Sequence, residues 1–140
     1  MSASSALAGA RDRLAKAEAR FRSVEGLAEL EEGLALLEEV ALDGTDGQRT
    51  VADNLLATYA DRLCAAVRRT VENDPGLPEP ELQHLFRLLV AFDAAELDLP
   101  DYVRALKIDI ARRLIERYYE GYPAEEKQKA LEQLAGIADV

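Results

Sequence analysis

The chain has no tryptophan, one histidine and one cysteine, and only 6% of its 140 residues are aromatic. The lone Cys64 excludes an intramolecular disulfide and fits a reducing cytoplasm. One histidine and one cysteine cannot complete a four-ligand structural zinc site without carboxylates, which are weaker partners for that metal. No uninterrupted apolar stretch of about 18 residues occurs, so no membrane span is expected. Residues Met1 to Ala8 carry no basic side chain ahead of an apolar segment, and charges begin at Arg11, so no signal peptide is expected. Basic residues are in deficit: 17 Lys and Arg against 27 Asp and Glu give a net charge of −10. A uniform negative field repels phosphates and anionic lipids, which argues against nucleic-acid and membrane partners.

What is present is helix-forming sequence. Hydrophobic residues make up 49% and charged residues 31% of the chain, with Ala, Leu and Glu prominent. The length suits one soluble domain, residues 1–140, able to bury roughly two-thirds of its unfolded surface without a disulfide or metal. The Ala, Arg, Leu and Glu usage has a bacterial cast.

Apolar residues recur at steps of three and four, the signature of amphipathic helices, and no period-two strand pattern occurs. A basic N-terminal helix, within residues 1–22, runs from about Ser5 to Arg22 on Leu7, Ala10, Leu14, Ala17 and Phe21. A second runs from Val24 to about Leu42 on Leu27, Leu30, Leu34, Leu37 and Ala41. The stripes do not join in register, and Ser23 is an acceptable N-cap, so a break falls there. Gly44 stops the second helix, and Thr45 with Gln48 fits a capping box for the third. The third helix extends to Asn73 on Val51, Leu55, Tyr59, Leu63, Val67 and Val71, widened by Leu56, Ala60 and Cys64. The prolines between Asp74 and Pro80 end it. A fourth helix carries Leu82, Leu85, Leu89 and Phe92; a fifth, started by Asp98-Leu99-Pro100, carries Val103, Leu106, Ile110, Leu114 and Tyr118. After Gly121-Tyr122-Pro123 a sixth carries Leu131, Leu134 and Ile137.

The expected fold is therefore all-α, about six amphipathic helices in antiparallel hairpins. Its units are a first hairpin at 24–73, a second at 79–121 and a C-terminal helix at 123–138. A faint repeat supports this: residues 37–42 resemble 88–93, and 59–63 resemble 110–114, at an offset of about fifty. Two arrangements fit, a TPR/HEAT-like repeat or a plain helical bundle. The tetratricopeptide pattern of small and aromatic residues is not met, and no family is assigned.

Chemistry-bearing motifs are few. Glu81 and His84 form a Glu-x-x-His step, which places a carboxylate and an imidazole on one helical face as in di-iron bundles. Such a site needs two of these motifs, which only a dimer could supply. Cys64 with His84 would make a nucleophile and base, but Cys64 sits mid-helix beside an apolar face. Asp43 to Gly47 is a turn, with no lysine for a phosphate and too few oxygens for calcium. No catalytic residue, cofactor or metal is expected.

Charge placement says more. Residues 1–22 carry a net +3, whereas residues 25–46 carry eight acidic side chains and no Lys or Arg. Glu29, Glu31, Glu32, Glu38 and Glu39 are thus candidate contacts for a basic protein, since like charges crowded on one helix are unfavourable unless something offsets them. The simpler alternative is a solvated face partly neutralised by the first helix. A second cluster sets Tyr118, Tyr119 and Tyr122 beside Arg112, Arg113 and Arg117, residue types that often anchor interfaces. Its simpler alternative is core tyrosines with arginines compensating a helix end.

The functional expectation is a non-catalytic, cytoplasmic protein–protein interaction module: an adaptor or regulator, or more narrowly a chaperone, immunity protein or antitoxin with a basic partner. One alternative is a helical-bundle metal carrier or enzyme using Glu81 and His84. Another is a structural subunit that forms a homodimer through helices one and two. Elemental analysis of the purified protein should find no stoichiometric transition metal. About one metal per one or two chains, lost on Glu81→Ala and His84→Ala, would promote the enzyme alternative.

Overall fold

The computed structural model describes residues 2–93, 95 and 97–138, with side chains as far as Gly136. The side chain of Ile137, expected in the last apolar stripe, lies outside the described residues. Six helices and no strand occur among the described residues: α1 Ala3–Ala19, α2 Val24–Asp43, α3 Asp46–Asn73, α4 Glu79–Asp93, α5 Tyr102–Tyr118 and α6 Ala124–Ala138. The all-α expectation holds, and α1 and α2 are separate helices.

Local chemistry explains the ends. The Ser2 side chain accepts from the Ser5 amide at 3.2 Å, so α1 starts earlier than its apolar stripe does. It stops at Ala19, because Arg20 to Ser23 form a turn and Ser23 caps α2 by accepting from the Gly26 amide. At α3 the capping box is complete. The Thr45 hydroxyl accepts from the Gln48 amide at 3.2 Å, and the Gln48 side chain accepts from the Thr45 amide at 2.9 Å. In the α3–α4 turn the Asp74 carboxylate accepts from the Gly76 amide, while Leu77 is fully buried and pins the turn to the core.

Helix direction follows from paired contacts. In α1 and α2, Arg13 meets Glu29 while Gly9 faces Leu36, so residue numbers fall in one as they rise in the other and the pair is antiparallel. Gln48 bonds Ser4 and Arg62 bonds Glu18, both at a separation of 44 residues, so α1 and α3 run parallel in fixed register. α4 starts beside the α1–α2 turn, where Glu81 meets Arg22, and ends with Ala91 near the second half of α2. α5 packs on α4 and α3, and α6 touches α5 alone among the described elements. The most extensive contact joins α1 to α2.

The core runs the length of these helices. Leu14, Leu30, Leu63, Leu82, Leu85 and Phe92 are among its fully buried side chains. Burying each contributes about 1.5–3 kcal/mol relative to exposure. Three expected stripes need correction. In α2 the stripe ends inward at Val40, whereas Ala41 is exposed. In α3 the buried residues are Ala52, Ala60, Leu63, Cys64, Ala66, Val67 and Val71, whereas Val51 is 42% exposed. A strict four-residue step advances about 40° per step on a helix of 3.6 residues per turn, so Val51 and Val71 lie about 200° apart. They cannot share one face. In α5, Val103, Leu106 and Ile110 are buried, but Tyr118 is 62% exposed because it lies at the helix end, beyond most of its neighbours.

Close approach at the α1–α2 turn requires Gly26. A Cβ there would lie 2.1 Å from the Arg20 carbonyl oxygen, a backbone atom that cannot swing aside. Gly26→Ala should therefore lower stability by about 1–3 kcal/mol in urea unfolding followed by circular dichroism. Gly136→Ala, with open space around it, should leave stability unchanged or raise it. Equal stability of Gly26→Ala and the parent chain would contradict this turn geometry.

Candidate functional site

α2 presents two faces. Leu30, Gly33, Leu37 and Val40 face inward and are buried, with Gly33 in contact with Leu14 of α1. Glu31, Leu34, Glu38 and Ala41 recur at steps of three and four on a different side. That side forms one wall of an open groove of about 620 Å³. Its apolar floor comes from Leu34, Leu37, Ala41, Ala52, Leu56 and Ala91, and its rim from Glu31, Glu38 and Asp53.

The groove follows from unequal helix lengths. Ala52 and Leu56 continue the same α3 stripe that is packed at Ala60, Leu63 and Val67. α3 has 28 residues but α4 only 15, and α4 ends at Asp93 with Ala91 and Ala95 closing one end of the groove. Beyond that point no helix among the described residues covers this side of the furrow between α2 and α3.

The expected acidic contacts divide into three groups. Arg13 of α1 binds Glu29 at 2.9 Å and Glu32 at 3.0 Å, so the first helix neutralises these two within the same chain. Glu31 and Glu38 line the groove, and neither has an ion pair among the described residues. Glu39 is exposed outside the groove lining. Ala41 and Ala91 lie in the last turns of α2 and α4, and neither helix has a basic residue there. The negative helix poles therefore add to the charge of the rim.

The second expected cluster also divides. Tyr118, Tyr119 and Tyr122 pack together, Tyr119 edge-to-face with each of the other two, with ring centroids 4.9–6.0 Å apart. Tyr118 and Tyr122 are exposed, and Tyr119 is half-buried. Arg113 pairs with Asp109 at 3.3 Å and donates to the Asp74 carbonyl at 3.2 Å. It ties α5 to the end of α3. Arg112 is exposed and Arg117 half-buried.

Glu81 and His84 both engage the α1–α2 turn. Glu81 pairs with Arg22, and the His84 Nε2 donates to the Phe21 carbonyl at 2.7 Å, with the imidazole buried. Among the described residues no three His, Cys, Asp or Glu side chains gather closely enough to hold a metal ion. Cys64 is buried, and desolvation followed by the Asp61 charge pushes its thiol from an ordinary value near 9 up to about 11. At neutral pH it is a protonated thiol packed in the core. No helix among the described residues is long and apolar enough to cross a membrane.

Sequence reasoning missed the apolar floor and Asp53. The available signal was the apolar Leu34 and Ala41 beside Glu31 and Glu38, which make that flank of α2 apolar with one acidic edge. No protein-family model matches the chain, and no curated protein or solved structure matches it.

His84 is a strut for the turn. His84→Leu should cost about 1–3 kcal/mol in urea unfolding by leaving the Phe21 carbonyl without its donor. His84→Gln, which keeps an N–H donor, should lose less. An unchanged His84→Leu midpoint would show that this bond contributes nothing to the fold.

Proposed function

We propose that the chain is a non-catalytic protein–protein interaction module that takes a basic partner on the acid-rimmed groove between α2 and α3. The observation that carries this reading is the meeting of an apolar floor with Glu31, Glu38 and Asp53, none of which has an ion pair among the described residues. Apolar area supplies affinity, while unpaired charge at the rim selects a cation and speeds encounter. A secretion chaperone, an immunity protein and an antitoxin are narrower versions in a bacterial cytoplasm, each a dedicated binder of one basic protein.

The alternative of a dimer built on helices one and two has less in its favour. α1 already occupies the inner face of α2 within one chain, with Arg13 across Glu29 and Glu32. A second copy would have to displace it.

The test is charge reversal. Immobilised parent chain should retain basic proteins from the native lysate and release them as salt rises, because screening acts within about 8–10 Å. The Glu31→Lys/Glu38→Lys variant should lose them while keeping its helical circular dichroism spectrum. A folded variant that retains the same proteins would make the acidic flank a solvated face and end this proposal.

A further inference from the structure

We infer that the occupant of the groove is a single amphipathic helix of a separate protein, apolar on one side and flanked by Lys or Arg, lying between α2 and α3 in line with α4. This rests on the acidic-groove reading above and adds the form of the ligand.

Three observations carry it. The groove continues the track of a helix: α4 packs on both α2 and α3 and ends at Asp93, and the same α3 stripe continues past it at Ala52 and Leu56. The open wall of α2 from Glu31 to Ala41 is about 15 Å long, or about three helical turns. The walls are lined by small residues, Ala35, Ala41, Ala52 and Ala91, which let a helix approach to the usual interaxial distance of about 8–10 Å. The third observation is a template inside the molecule. On its other flank α2 already receives a basic amphipathic helix, α1, with Leu14 against Gly33 and Arg13 across Glu29 and Glu32. The groove offers the same grammar, apolar positions between carboxylates. Recognition of an amphipathic helix in an apolar groove uses anchors at i, i+3 or i+4, and i+7.

Charge and burial within the chain argue for a separate protein. α6 carries Glu125, Glu126 and Glu132 against Lys127 and Lys129, so it does not complement an acidic rim. α1 is basic, but Ala6, Ala10, Leu14 and Ala17 are already buried against its own chain. Neither of these two helices of a second copy offers a free basic, apolar face, and α5, which is basic, already buries Val103, Leu106 and Ile110 in its own chain.

The experiment uses the full chain and labelled peptides of about fourteen residues, roughly 21 Å as a helix. The first places Leu on one face and Lys on its flanks. The second has the same residues reordered so that no helical face is apolar, and the third has Glu in place of Lys. Fluorescence anisotropy should show the first binding and the other two weaker by about tenfold or more. Circular dichroism should show the first peptide gaining helix on binding. Ala35→Trp and Ala41→Trp put bulk into the groove at exposed positions, and each should weaken the first peptide by about tenfold, as should Glu31→Lys/Glu38→Lys. Equal binding of the first two peptides would show that charge alone is read, so the helix inference falls while the acidic surface stands. Indifference to both tryptophan variants would place binding elsewhere and overturn the inference. Failure of the first peptide, with basic proteins still captured from lysate in a Glu31- and Glu38-dependent way, removes this inference alone. Failure of both removes the functional reading as well.

Discussion

The close packing of α1 against α2 is the constraint on which the rest of the molecule depends. It is made by small side chains: Ala6, Ala10 and Ala17 on one helix, Gly26 and Gly33 on the other, with Leu14 and Leu30 filling between them. Small residues allow near approach of two backbones, and near approach is what lets Arg13 reach two carboxylates at once. The pairing also sets where the α1–α2 turn lies, and α4 begins on that turn through Arg22–Glu81 and His84–Phe21. Register therefore passes from the α1–α2 pair to α4 through one ion pair and one buried hydrogen bond.

That packing divides the charge of α2. A helix carrying seven acidic residues and no basic one, Val24–Asp43, has a strong local field. α1 compensates one flank only, because a single helix covers about one face of its neighbour. Among the described residues, the flank bearing Glu31 and Glu38 has neither an ion-paired cation nor an apolar cover. Both shortages occur at the same place, and both would be met by one basic amphipathic partner.

Two motifs that suggested chemistry belong to the packing instead. Glu81 and His84 share a helical face as a metal site would need, but that face meets a turn, where a carboxylate finds Arg22 and an imidazole finds a carbonyl. Cys64 and its neighbours Leu63 and Val67 lie inside the core, where burial holds the thiol protonated. Arg113 is used in the same way, between Asp109 and the Asp74 carbonyl.

The helices, their breaks and their caps were legible in the residues, because each depends on neighbours a few positions apart. The Thr45–Gln48 capping box spans three residues, and Ser23 needs only the Gly26 amide. Helix rotation was less legible. Small residues such as Ala52 carry little apolar signal yet take the inward position, while Val51 beside it stays outside. The acidic run on α2 was visible, but its division was not: which glutamates are neutralised depends on Arg13 arriving from another helix. The groove was the least visible of all. It exists because α4 stops at Asp93 while α2 and α3 run on beside each other, and the relative reach of three packed helices is a property of their arrangement in space that no local stretch of sequence contains.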